Sequence, residues 1–236
     1  MTGSIQQRLR SVNWEQLAES LWNDGYALTP ALLSASECGE LVKLYEENSN
    51  FRSRIIMARL GFGRGEYKYF KYPLPRIVAE LRKGAYPRLA AIANHWAKEI
   101  GVPGFPTSHA SFLKICKKAG QHKPTPLLLK YEVGDYNCLH QDLYGEVAFP
   151  FQMTFFLSRS ETDYSGGEFV LVEQRPRMQS RVMVVTAQQG QAVIFPTRHR
   201  PVRGTREVYK TNLRHGVSPL RSGIRLTLGI IFHDAK

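Results

Sequence analysis

The sequence predicts an α+β fold, with a mainly helical support region over residues 1–125 and a β-sandwich or jelly roll over residues 126–236. The two parts are read as one structural unit. Three observations carry this expectation. Apolar residues recur at helical spacing through the first 120 positions, short strand-like runs replace them from Pro126 onward, and the turns between those runs hold glycine or polar residues without helical insertions. At 236 residues and 43% apolar content the chain is long enough to bury a sizeable core.

Taken in order, Trp14, Leu17, Leu21 and Trp22 mark a helix over 13–24 that Asn13 caps and Gly25 ends. A short extended piece over 26–29 precedes Pro30. Ser34 with Glu37 forms a capping box for a helix carrying Cys38, Leu41, Val42, Leu44 and Tyr45. Residues 51–72 alternate aromatic and basic side chains around several glycines, which fits an edge hairpin, a substrate lid, or a stacking and phosphate-contacting surface. The glycines there lack the strand and helix of a dinucleotide site. Pro75 and Pro87 are expected in first turns, Leu89, Ile92, Ala93, Trp96 and Ile100 form a helical stripe, and Thr107 is expected to cap a helix reaching Gly120. Strands are then predicted over 127–133, 149–157, 167–172, 181–186, 191–195, 215–217 and 225–232.

Composition narrows the function. No apolar run long enough to span a bilayer occurs, and the first residues lack a secretory h-region, so a cytoplasmic protein without a membrane partner is expected. Cys38, Cys116 and Cys138 are far apart and form no C-x-x-C, which points to buried reduced thiols rather than disulfides or zinc. Net charge is +12 and uneven: between Gln174 and Arg225 there are eleven basic residues and one acid, Glu207, and Lys114, Lys117, Lys118, Lys123 and Lys130 add five without an acid among them. Such a field attracts polyanions, nucleic acid above all, or an acidic protein or small anion.

The chemistry centres on the stretch Tyr136 to Tyr144. His140 and Asp142 stand two apart in a segment that reads as extended, so their side chains share a face. A second imidazole, His215, follows about one small β-domain later. Two imidazoles and a carboxylate with open positions suit non-haem Fe(II). His199 competes for the third place, but its basic neighbours Arg198 and Arg200 oppose a cation, whereas His215 leads into Gly216 and Val217. His95 reads as structural. Ten residues after His215, Arg225, Thr227 and Gly229 alternate on one face of an apolar run, so a guanidinium points inward. It needs an anionic partner, and a bound dicarboxylate fits its fork of donors.

The set His140-x-Asp142, then His215 with Gly216 and Val217, then Arg225 resembles the Fe(II)/2-oxoglutarate-dependent dioxygenase superfamily, nearest its bacterial prolyl-4-hydroxylase-like branch. The resemblance implies a double-stranded β-helix in which His140, Asp142 and His215 hold Fe(II) and Arg225, where that branch commonly has Lys, binds the distal carboxylate of 2-oxoglutarate. Tyr131 matches the aromatic that often hydrogen-bonds this cosubstrate, with Thr154 and Thr227 as further pocket residues. It also implies O2-dependent hydroxylation of a C–H bond with release of succinate and CO2. Nucleic acid, DNA foremost, is the partner the charge favours, as in a response to DNA alkylation damage. A prolyl or other protein side chain is the alternative substrate, and a DNA-binding protein with a sensing iron centre is the alternative outside catalysis.

Overall fold

The computed structural model describes residues 3–205 and 207–236; Met1, Thr2 and Arg206, the last one of the eleven basic residues counted above, lie outside the described residues. Five helices occur among these, all in the first half: α1 (Ile5–Ser11), α2 (Trp14–Asp24), α3 (Ala35–Leu44), α4 (Arg76–Glu99) and α5 (His109–Lys118). Their starts follow local chemistry. The Asn13 side chain accepts from the Gln16 amide at 3.1 Å, and Gly25 closes α2 in the left-handed region at φ 84°. Ser34 and Glu37 form the expected capping box, and Ser4 with Gln7 forms another that opens α1, a helix the apolar spacing does not predict.

Two expectations shift. Ser108, not Thr107, caps α5 through the Ser111 amide. Pro87 lies inside α4 rather than at a helix start. An interior proline removes one backbone hydrogen bond and crowds the preceding turn. Here Leu81, Ala85, Tyr86, Leu89, Ala90 and Ala93 are buried on both sides of it, so packing holds the helix continuous.

Fifteen strands follow the same order: β1 (Ala27–Leu28), β2 (Phe51–Ile56), β3 (Gly63–Arg64), β4 (Glu66–Phe70), β5 (Leu127–Tyr131), β6 (Tyr136–His140), β7 (Phe151–Phe156), β8 (Tyr164–Gly166), β9 (Phe169–Gln174), β10 (Arg181–Val185), β11 (Ala192–Pro196), β12 (His199–Arg203), β13 (Val208–Val217), β14 (Leu220–Gly223) and β15 (Arg225–Ile231). The major sheet runs β1-β11-β7-β15-β5-β4-β2, and the minor sheet β10-β9-β13-β6-β3 with β12 on β13. Every named pairing is antiparallel. The first half thus contributes strands to both sheets as well as all five helices. Between the expected strands 191–195 and 215–217, basic residues of 199–203 and 208–214 form β12 and the first part of a β13 much longer than expected.

Alternation along the strands makes two separate interiors. In β15 Leu226, Leu228 and Ile230 join the core shared with the helices, while Arg225, Thr227, Gly229 and Ile231 face a cavity between the sheets. That strand is buried on both faces, which explains its continuous apolar character. A second cluster, with Phe156, Phe169, Leu171, Val193, Phe195 and Leu213, fills the space between the sheets beside the cavity. Among the described residues, no helix is long and apolar enough to cross a membrane.

A buried ion pair ties these layers together. Arg200 of β12 and Glu173 of β9 are each 1% exposed and meet at 2.7 Å. Arg200 also donates to the backbone carbonyl of Trp22 at the end of α2, and Glu173 accepts from the Thr211 hydroxyl and from Arg175. Arg200 is therefore a structural cation and no part of a polyanion-binding loop. Its partner lies one residue ahead of the basic stretch. Glu173→Ala, which strands the guanidinium, is expected to lower stability by about 3–5 kcal/mol; a urea titration that shows less than about 1 kcal/mol would contradict this account of the pair.

Candidate metal centre and adjoining cavity

Antiparallel pairing of β13 with β6 sets His215 opposite His140, and their ring centroids lie 4.1 Å apart. The register shifts beside them. His215 pairs with His140 but Val217 pairs with Asn137, so β6 carries one extra residue there. That bulge lets Asn137 and His140, which strict alternation would put on opposite faces, both line the cavity.

Asp142 lies just beyond the end of β6. Its Oδ2 is 3.2 Å from His215 Nε2 and its Oδ1 is 3.7 Å from His140 Nε2. Between them Gln141 turns away and donates to the Leu213 carbonyl at 2.9 Å, clamping the segment onto β13. One ligand-type atom from each of His140, Asp142 and His215 falls within 4.8 Å of the others, the single such group of three among the described residues. His199, the competitor, sits in β12 outside this group.

The protonation states suit a cation. Burial pushes His215 toward the neutral form, and the neighbouring His140 adds to this against the pull of Asp142. Burial opposes ionisation of Asp142 too, but the hydrogen bond from His215, the two imidazoles and a hydrogen bond from Tyr144 outweigh it and hold this carboxyl below its usual range. His140 Nδ1 lies 2.7 Å from the Cys138 carbonyl; an N–H donated there leaves Nε2 free to ligate.

Three tyrosines support the carboxylate, and sequence reasoning assigned none of them a role. The Tyr144 hydroxyl donates to Asp142 Oδ1 at 2.7 Å and is 3.0 Å from the Tyr69 hydroxyl, while the Tyr67 ring stands edge-on to Tyr69 at 5.4 Å. Burial, then the Asp142 charge, raises the Tyr144 hydroxyl well above its ordinary pKa, so it stays a donor. The only sequence signal was that Tyr144 follows Asp142 by two residues, and Tyr67 and Tyr69 alternate toward one face of β4.

The cavity spans about 390 Å³ and holds the triad, Tyr131, Thr154, Arg225 and Thr227 in one lining. Arg225 is 1% exposed, and its Nε, Nη1 and Nη2 have no hydrogen-bond partner among the described residues. It is flanked by rings instead, with Phe156, Tyr131 and Tyr164 at 5.3, 5.5 and 5.9 Å. Leaving such a cation unpaired is costly, so the site fits an anionic group with a flat face of acceptors. Tyr131 lies opposite Arg225 across β5 and β15, and its hydroxyl accepts from Asn137 at 3.3 Å. Gln152, a further buried lining residue, has an unpartnered Nε2 among the described residues. The donor set and the unpaired guanidinium together fit Fe(II) and a dicarboxylate.

The remaining sequence candidates divide. Lys68 is buried and donates to the Tyr45 carbonyl, and Arg52 lies over the Tyr69 ring at 4.4 Å, so neither is a free surface cation. Arg177, Arg181, Arg198, Arg203, Lys210, Arg214 and Arg221 are exposed. Cys38 and Cys116 are buried as expected, whereas Cys138 is exposed at the cavity mouth because the bulge turns it outward.

Comparison with known proteins agrees with this geometry. Two Mycobacterium tuberculosis relatives, each described as an uncharacterized protein, are 48% identical over 167 residues, 70% of this chain and 72% of theirs. A Pseudomonas putida prolyl-4-hydroxylase has a similar structure at TM-score 0.56 and 14% identity, covering 94% of this chain and 99% of that one. A Trichoplax adhaerens prolyl hydroxylase gives 0.58 at 15% identity, covering 98% and 92%. At such identities the likeness is one of fold, and it gives the jelly-roll core. The family model Oxygenase-NA, described as an oxygenase catalysing oxidative methylation of damaged DNA, matches residues 65–235. With that match the chain belongs to the Oxygenase-NA family and is an oxygenase, with a His-Asp-His group placed to hold a metal ion.

Proposed function

We propose that this oxygenase hydroxylates an alkyl C–H bond on nucleic acid, DNA foremost, as part of an alkylation-damage response. In this reading His140, Asp142 and His215 hold Fe(II), Arg225 binds the distal carboxylate of 2-oxoglutarate, and Tyr131, Thr154 and Thr227 line the cosubstrate pocket. The observation that carries it is Arg225, a buried guanidinium with three unpartnered nitrogens in the same cavity as the triad.

Iron with 2-oxoglutarate and O2 supplies C–H oxidation with release of succinate and CO2. The chain's own residues bind and orient. Neutral imidazoles and one carboxylate give the metal a single compensating charge, and Tyr144 keeps Asp142 Oδ1 occupied so that Oδ2 faces inward. Phe169, Val217 and Leu129 narrow the chamber and exclude water. An oxygenase does not transfer methyl groups, so the reading for this chain is hydroxylation of an alkyl group already on the base, whose N-hydroxymethyl product loses formaldehyde. Nucleic acid is supported by the family description, the net charge of +12 and the exposed arginines, Arg198 and Arg214 among them. The reading assigns the enzyme to the cytoplasm, where its three unpaired thiols stay reduced.

Asp142→Ala is expected to lose iron, read by metal content after anaerobic loading. Arg225→Ala should keep iron yet need about 10- to 100-fold more 2-oxoglutarate, as loss of a bidentate charged contact implies; unchanged cosubstrate binding would show the pocket assignment to be wrong. Tyr144→Phe should weaken Fe(II) or Co(II) binding about 10- to 100-fold and alter the visible spectrum of the Co(II) form. Succinate formation should rise with alkylated DNA and vanish in His140→Ala. Stimulation by a proline-containing protein instead would select protein hydroxylation. DNA binding that falls steeply with salt but never stimulates succinate formation would select the sensing role.

A further inference from the structure

The cavity mouth carries an apolar projection that the chemistry above does not use. Met57–Leu60 forms a single 3-10 turn, Gly61 follows at φ 70°, and β3 (Gly63–Arg64) then joins the edge of the minor sheet. Leu60 and Phe62 are 54% and 46% exposed, and Leu139 and Leu143 44% and 43%. Scattered exposed apolar side chains are ordinary, but Phe62, Leu139 and Leu143 all line the one chamber, and Leu60 precedes them by a single turn.

The backbone beneath Phe62 is fixed. Its amide donates to the Met57 carbonyl at 3.1 Å, and its carbonyl accepts from the Cys138 amide at 2.9 Å, two residues from His140. Gly63 approaches β6 so closely that a Cβ there would lie 2.4 Å from the Tyr136 carbonyl oxygen. The ring of Phe62 therefore stands on a rigid base beside the site. Arg59 and Arg64, which flank it in sequence, are exposed, Arg64 partly offset by Asp135 at 4.0 Å. Inside, Arg225 and Asp142 are, among the described residues, the only Arg, Lys, Asp or Glu side chains lining the chamber, so charged parts of a substrate stay outside.

An exposed apolar ring lining a chamber without spare charge, with exposed cations three residues before it and two after it, matches a stacked polyanion that turns one flat group inward. A peptide would more naturally extend a sheet edge, and the edge strand here, β3, is only two residues long. We propose that Phe62, backed by Leu60, is a wedge that fills the gap in a nucleic-acid duplex when the target base turns into the chamber, with Arg59 and Arg64 on the neighbouring phosphates. Apolar wedges between base steps, and extrusion of a base before chemistry on it, are general devices. This inference rests on the reading that the substrate is a base in nucleic acid, and the residues it uses precede the segment 65–235 that the family model matches.

The test uses the full chain with duplex and single-stranded oligonucleotides of one sequence, each with an N-methylated base beside 2-aminopurine. With wild type, duplex binding followed by anisotropy should raise 2-aminopurine fluorescence. Phe62→Ala should abolish most of that rise and lower turnover of the duplex about tenfold more than turnover of the single strand, since stacking on an aromatic ring contributes on that scale. Phe62→Trp should restore both. The wedge is overturned if Phe62→Ala keeps the fluorescence rise, or if it slows both substrates equally, which would make Phe62 a chamber wall only. If wild type turns over the single strand but binds duplex without unstacking it, the wedge fails while the proposed function stands. If wild type binds neither oligonucleotide and a proline-containing peptide drives succinate formation, both fail together.

Discussion

The structure depends first on the register between β6 and β13. Antiparallel pairing places His215 opposite His140 only in one register, and a slip of β6 by one residue would turn His140 to the outer face of the minor sheet and leave His215 alone inside. Several independent contacts fix that register. Gln141 bonds the β13 backbone at Leu213, β9 pairs with β13 from the other side through six residues, and β3 closes the free edge of β6. Gly216 belongs to the same constraint, because a Cβ there would lie 2.7 Å from the Asn137 carbonyl oxygen. The bulge then brings Asn137 to the same face, where it donates to the Tyr131 hydroxyl from the major sheet.

Around this pairing the molecule treats its buried charges in two ways. Arg200 with Glu173, and Arg82 with Asp234, are satisfied within the protein and join helices to strands or to the C-terminal segment. Arg225 is equally buried, yet it has rings where the others have carboxylates. An internal acid in that position would neutralise it and fill the cavity. Its isolation is thus a feature of a binding site rather than of stability, since the same fold shows how it pairs cations meant only for structure.

Much of this was legible in local sequence and some was not. The inward direction of Arg225 follows from alternation, which is a local property of strands, whereas His140, Asp142 and His215 were legible as residue types at a spacing, and their meeting needs the β6–β13 pairing and a turn just after β6. Capping boxes are equally local: Ser34 with Glu37 is readable, and so was Ser4 with Gln7, hidden because α1 has only Ile5 and Leu9 to bury. Tyr69 and Tyr144 could not be assigned from sequence, because their contact needs β4 to lie beside β5 and the loop after β6 to fold over it. The same holds for Arg200. Its charge reads as surface until β9 brings Glu173 against β12, and Pro87 reads as a helix start until burial on both sides of it is known.

The distribution of charge separates two tasks that composition alone merges. A net charge of +12 describes the whole molecule, but among the described residues the chamber lining has one cation, Arg225, beside one anionic ligand-type residue, Asp142, while the exposed arginines lie outside that lining. Long-range attraction therefore acts on whatever backbone the substrate carries, and it weakens with salt. Selection of the reacting group is left to a chamber walled by Tyr67, Tyr69, Leu127 and Leu129, where shape and aromatic contact decide. A substrate that combines a polyanionic backbone with a flat, uncharged or weakly basic reacting group satisfies both conditions, whereas an acidic or strongly basic side chain would meet the outer field and find no partner inside.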